Sequence, residues 1–199
     1  LDVIQEQAEQ TLRNMAGLVD DDMFAPLAKS ARQRGIWLGI NLLAAFAASF
    51  VVGRFEDTIS QLVALAVLMP VVASMGGVAG TQTLNIAIRG LATGQLTRVN
   101  ARLLVNKEIG VGLLNGVTWA LVVAVVAMLW FDSYALGVII GLAMVVNLAV
   151  AATAGALIPL GLKKFGVDPA IAGGVLLVTV TDVVGFATFL GLATVYLNA

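Results

Sequence analysis

The chain has 199 residues, 60% of them hydrophobic and 12% charged, with a net charge of −1 and a mean hydropathy of +0.99. A water-soluble domain carries roughly 25% charged residues, so this composition excludes an ordinary soluble fold and calls for lipid around much of the surface. Cys and His are both absent, which excludes disulfides, thiolate sites and imidazole ligands and leaves oxygen ligands suited to hard cations such as magnesium or calcium.

The first 35 residues differ from the rest. Leu1, Ile4, Ala8, Leu12 and Met15 recur at helical spacing among polar residues, the pattern of an amphipathic helix over Leu1–Leu18. Gly17 lies near its end, and the acidic run Asp20–Asp22 that follows reads as solvated. Lys29, Arg32 and Arg34 then form a juxtamembrane anchor. The chain opens on Leu1 with no cleavable signal peptide, so it reads as the later portion of something longer.

Five apolar segments come next, over Ile36–Val52, Ile59–Met75, Leu103–Phe131, Tyr134–Leu162 and Ala170–Leu197. Each is long enough to cross a bilayer as a helix, which takes about 20 residues. No ten-residue stretch alternates apolar and polar residues, so a membrane β-barrel is excluded. The expected fold is all-α, a five-span polytopic membrane protein whose residues 36–199 form one domain behind the 1–35 lead-in.

Charge sets the expected orientation. Arg13, Lys29, Arg32 and Arg34 precede the first span. Arg89, Arg98, Arg102 and Lys107 lie between spans two and three, and Lys163 and Lys164 between spans four and five. The opposite side carries Arg54 with Glu56, Asp57 and Asp132. Cations gather on the cytoplasmic face, so the N-terminus is expected inside and the C-terminus outside. No basic patch interleaved with aromatics points to nucleic acid. No nucleophile, base and oxyanion constellation points to an enzyme.

Asp182 is the acid that falls deepest, near the middle of the last span. A carboxylate there costs about 2.5–3.5 kcal/mol on insertion scales and faces a protein interior or a water-filled path. Thr179 and Gly185 share its helix face. One carboxylate holds a divalent ion weakly, so two Asp182 side chains across a twofold axis are the more effective arrangement, and twofold dimers are the commonest oligomers.

Pro70 and Gly76, Gly77 and Gly80 mark the run Pro70–Thr83. The run has two readings: a broken helix exposing carbonyls to a cation, or close packing against a neighbouring helix. Gly112-xxx-Gly116 reads as close helix packing, and Asn41, Asn115 and Asn147 as interhelical hydrogen bonds. Glu108 beside Lys107 reads as a local ion pair or interfacial anchor. From the residues alone, three functions stay open: a passive channel, a secondary transporter binding a proton or sodium at Asp182, and a structural membrane subunit.

The Gly76-Gly77-Val78-Ala79-Gly80-Thr81-Gln82 core, then Ile88-Arg89-Gly90-Leu91-Ala92, Lys107-Glu108-Ile109-Gly110-Val111-Gly112, Gly166-Val167-Asp168-Pro169-Ala170 and Thr179-Val180-Thr181-Asp182-Val183-Val184-Gly185 resemble the MgtE family of magnesium channels, in order and over all spans but the first. The resemblance implies a homodimer in the bacterial inner membrane, with magnesium as the transported and bound ion. It implies a pore on the twofold axis lined by the second and fifth spans, which places Gly76, Gly77, Gly80, Thr181 and Gly185 along it. It implies that Asp182 and the Val178 backbone carbonyl bind hydrated magnesium. It also implies that residues 1–35 hold the cytoplasmic connecting (plug) helix, and that the full-length chain has cytoplasmic sensor domains. Family members often carry Asn where Val78 stands, and some Asn-Pro at Gly174 and Val175, so selectivity here is expected to rest more fully on Asp182 and backbone carbonyls.

Overall fold

The computed structural model describes residues 26–97 and 99–198. The expected helix over Leu1–Leu18 and the Asp20–Asp22 run lie outside them. The described residues form six helices and no strand: α1 (Leu27–Gly53), α2 (Glu56–Gln61), α3 (Ala64–Ala92), α4 (Ala101–Phe131), α5 (Tyr134–Lys164) and α6 (Pro169–Leu197). All but the six-residue α2 are long and apolar enough to cross a membrane.

Three boundaries differ from the sequence expectation by more than two residues, among them the end of the second span, which runs to Ala92 rather than Met75 because Pro70–Thr83 stays helical. The first span starts at Leu27 rather than Ile36, because the basic cluster continues the helix as its first turns. The second starts at Ala64 rather than Ile59. Leu62 leaves helical geometry at φ −137°, so Glu56–Gln61 folds as a separate short helix on the rim. Thr58 of that helix is tied to Thr194 of α6 through their hydroxyls at 2.7 Å.

Local chemistry sets the turns. Asp132 takes the left-handed conformation at φ 48° and Ser133 caps α5, its Oγ accepting from Leu136 N at 3.3 Å, so α4 and α5 form a tight antiparallel hairpin. Asp168 Oδ1 accepts from Ala170 N at 2.9 Å, and Pro169 occupies the first position of α6, where its missing N–H costs nothing.

α5 is the central helix and packs on α3, α4 and α6, while α1 lies against α6. Lipid and helix interior are equally apolar, so close fit rather than burial selects these contacts. Small residues supply the fit. A Cβ on Gly112 would lie 2.6 Å from Ala152 Cβ, and one on Gly155 would lie 2.5 Å from Gly80 O. The expected close approach at Gly112 and Gly116 is therefore present, against α5. Phe189, Leu65, Leu136 and Ile140 fill one end of the bundle, and Leu84, Ile88, Ala170 and Leu177 the other.

Candidate ion site at Asp182

α3 passes through Pro70–Thr83 without interruption. The broken-helix reading of this run is thus corrected: unpaired backbone groups in hydrocarbon cost several kcal/mol each, and the glycines keep their helical bonds while admitting neighbours. Gly76 receives the amide of Asn147, and a Cβ on Gly80 would lie 2.8 Å from Leu177 Cδ1.

Asn147 is fully buried on α5 and joins three helices. Its Nδ2 donates to Val72 O of α3 at 2.8 Å. The same amide fills the space beside Gly185 of α6, where a Cβ would lie 2.9 Å from Nδ2 and 3.1 Å from Oδ1. Oδ1 has no hydrogen-bond partner. Gly185 stands three residues after Asp182, so this wedge fixes the rotation of α6 at the carboxylate. Of the three asparagines expected to bond between helices, Asn147 does so. Asn41 instead donates within its own helix to Trp37 O at 3.0 Å, and Asn115 is exposed.

Asp182 lies half-buried near the middle of α6, on the border between the bundle's interior and an uncovered stripe. Gly174 and Val178 precede it on that stripe at intervals of four residues; Val178 is 41% exposed, and a Cβ on Gly174 would meet nothing within 4 Å. No described side chain donates a hydrogen bond or pairs a charge to the Asp182 carboxylate. The adjacent hydroxyls turn back to their own helix. Thr179 Oγ1 donates to Val175 O at 2.7 Å, and Thr181 Oγ1 to Val178 O at 3.1 Å. The Val178 carbonyl is thus already engaged.

The residues named as pore-lining divide. Gly76, Gly80, Thr181 and Gly185 are buried inside the helix bundle, held against Asn147, Leu177 and the α5 backbone or turned inward. Gly77 faces open space, with nothing within 4 Å of a Cβ placed there. Thr81, Gln82 and Asn85 continue its exposed face along α3.

Sequence reasoning undervalued a second acid. Glu108 is 3% exposed, more enclosed than Asp182. Its Oε2 accepts from Thr83 Oγ1 at 3.0 Å, and its Oε1 lies 3.5 Å from Lys107 Nζ. The expected local ion pair is there, but the carboxylate also bonds α4 to α3. Helical spacing carried the available signal: Glu108 and Gly112 are four residues apart, on the buried face of α4. Among the described residues, no group of three or more acids converges as a metal cluster.

A family model described as "MgtE: Divalent cation transporter" matches residues 69–192. The whole chain is 30% identical to the magnesium transporter MgtE of Bacillus subtilis and 30% identical to that of Enterococcus faecalis. It is 32% identical to the magnesium transporter MgtE of Thermus thermophilus. It spans 44%, 44% and 45% of those proteins, less than half their length. With five apolar helices it is a multi-pass membrane protein, and the chain belongs to the MgtE family of divalent cation transporters.

Proposed function

We propose that this chain forms the membrane pore of a magnesium channel, built from two copies about a twofold axis, in which the two Asp182 carboxylates hold magnesium in its water shell. The observation that carries this reading is the unpartnered Asp182 carboxylate at mid-span on an uncovered stripe of α6. A carboxylate at that depth faces protein or water rather than lipid. A single protomer has no converging acids to complete a divalent site among its described residues, so the second negative charge comes from a second copy. Magnesium dehydrates reluctantly and is commonly bound by one or two carboxylates through retained waters, which suits a wide, oxygen-only constriction.

The exposed polar face of α3 supports the same geometry. Thr81, Gln82 and Asn85 are exposed on a membrane-spanning helix, where amides favour a partner helix or water over hydrocarbon. With Gly77 and the Gly174–Val178–Asp182 stripe, they give two small-residue and polar faces to pair across an axis. Asp182 carries most of the ion binding, since Val178 O is shared with Thr181. Gly76, Gly80 and Gly185 serve by setting the helices at the right approach. Entry is passive, driven by concentration and by a potential worth about 4.6 kcal/mol per 100 mV for a divalent ion. In the bacterial inner membrane this pore works under cytoplasmic sensor domains of a longer chain.

The test is magnesium uptake into proteoliposomes under an imposed membrane potential, native chain against Asp182→Ala. Uptake that follows the potential, needs no counter-ion gradient and loses magnesium preference in the variant is the expected result. Flux that saturates and requires a proton or sodium gradient would instead identify an exchanger at Asp182. Indistinguishable native and variant flux would make Asp182 structural and end the proposal.

A further inference from the structure

Between the end of α3 and the start of α4 lies a recess of about 560 Å³ whose charged lining residues, Arg89 and Lys107, are both basic. Its walls include Ile86, Leu103 and Leu104, with Ile86 and Leu103 exposed. Hydrogen bonds brace the described residues on either side of position 98. Asn100 Oδ1 accepts from Thr97 N at 2.7 Å, Asn100 Nδ2 donates to Gln95 O at 2.8 Å, and Leu96 N donates to Gly90 O at 2.7 Å. The recess is therefore preformed, and it stands where two membrane-crossing helices end.

Lys107 is 67% exposed, and its neighbour of opposite charge is Glu108 at 3.5 Å, enclosed behind it between α3 and α4. The Arg89 guanidinium has no partner among the described residues. Two cations beside an apolar wall at a membrane boundary match one chemistry: an anionic phosphate with hydrocarbon attached. Basic pockets between membrane helices take anionic lipid headgroups in this way.

We propose that this recess binds an anionic phospholipid, with Arg89 and Lys107 holding the headgroup phosphate and Ile86, Leu103 and Leu104 lying along the glycerol and upper acyl chains. The assignment does not depend on the ion pathway. Guanidinium pairs with two phosphate oxygens at once and the lysine adds a point charge. A zwitterionic lipid offers the same phosphate with its charge cancelled by choline, so binding discriminates by net charge. Free phosphate shares the anion but leaves the apolar wall uncovered.

The experiment is lipid retention by the purified full chain, moved from mixed micelles of equal phosphatidylglycerol and phosphatidylcholine into native mass spectrometry. Phosphatidylglycerol adducts are expected to dominate on the native chain. The double variant Arg89→Gln/Lys107→Gln is expected to lose them by about twenty-fivefold, each cation near an anionic lipid being worth about a factor of five. Arg89→Lys/Lys107→Arg keeps both charges and retains the lipid. Lys163→Gln/Lys164→Gln, which removes two cations from the last turn of α5, leaves retention unchanged. Should the double variant not fold, each single glutamine variant carries the test with a loss of about fivefold. Equal retention by native and variant chains, or equal uptake of both lipids, overturns the proposal. Displacement of phosphatidylglycerol by millimolar inorganic phosphate overturns the lipid assignment in favour of a free anion.

Discussion

Replacing Gly185 with alanine tests the wedge that orients Asp182. The new Cβ would lie 2.9 Å from Asn147 Nδ2, 3.0 Å from Cγ and 3.1 Å from Oδ1. Real Cβ atoms do not sit so close to another heavy atom, so something must shift. The Asn147 amide cannot yield freely, because it bonds Val72 O at 2.8 Å and fills the space beside Gly76 on the opposite side. Overpacking of this kind costs about 1–3 kcal/mol. Sacrificing the interhelical hydrogen bond to relieve it costs about 0.6 kcal/mol on average inside membranes. Since Tm moves by about 2–4 °C per kcal/mol for a chain of this size, thermal unfolding in detergent should show a fall of several degrees. The double variant Gly185→Ala/Asn147→Ala removes the obstacle, so the two losses should be strongly non-additive, with a coupling of about 1 kcal/mol or more. Gly191→Ala on the same helix is the control, since a Cβ there meets nothing within 4 Å. A Gly185→Ala chain as stable as the native one, or a strictly additive double variant, refutes the wedge.

Asp182→Asn should leave the apparent Tm unchanged or raised, because no described side chain pairs with the carboxylate and neutralising it lowers the insertion cost of about 2.5–3.5 kcal/mol. A fall of several degrees would show a structural partner for Asp182. Glu108→Ala should destabilise by about 1–3 kcal/mol, since it strands the buried Thr83 hydroxyl and removes the link from α4 to α3, whereas Glu108→Gln keeps an acceptor and costs less. Thermal unfolding of the pair reads the difference, and equal losses would show that only the ion pair with Lys107 matters. Ser133→Ala removes the α5 cap and should cost about 1 kcal/mol. Ser133→Asp should restore most of it in the same assay.

The fold class was legible because hydrocarbon imposes a one-dimensional rule. A helix must be long enough and apolar enough to cross, and runs such as Tyr134–Leu162 satisfy that rule in any tertiary arrangement. At Asp132-Ser133 and Asp168-Pro169 the structure shows local turn and cap chemistry ending one helix and starting the next. The second span was misplaced because Ile59 and Leu62 are as apolar as the residues after them. Only the observed backbone at Leu62 separates α2 from α3.

Asp182 stood out in the sequence for the same one-dimensional reason: depth alone makes a carboxylate costly. Which side of a helix faces a neighbour was not legible, because membrane helices are apolar all round and no polar stripe marks the inner face. The tertiary structure decided that Gly76, Gly80, Thr181 and Gly185 turn inward while Gly77, Val178 and the Asp182 edge remain uncovered. It also decided that Asn147 joins three helices and that Glu108 is enclosed against Thr83. Sequence by itself determined how many helices cross and where the one mid-span carboxylate lies, because length and hydropathy act residue by residue. The rotation of each helix, and with it the assignment of site or packing to every glycine, came only from the packed bundle, because shape complementarity is a property of pairs of surfaces.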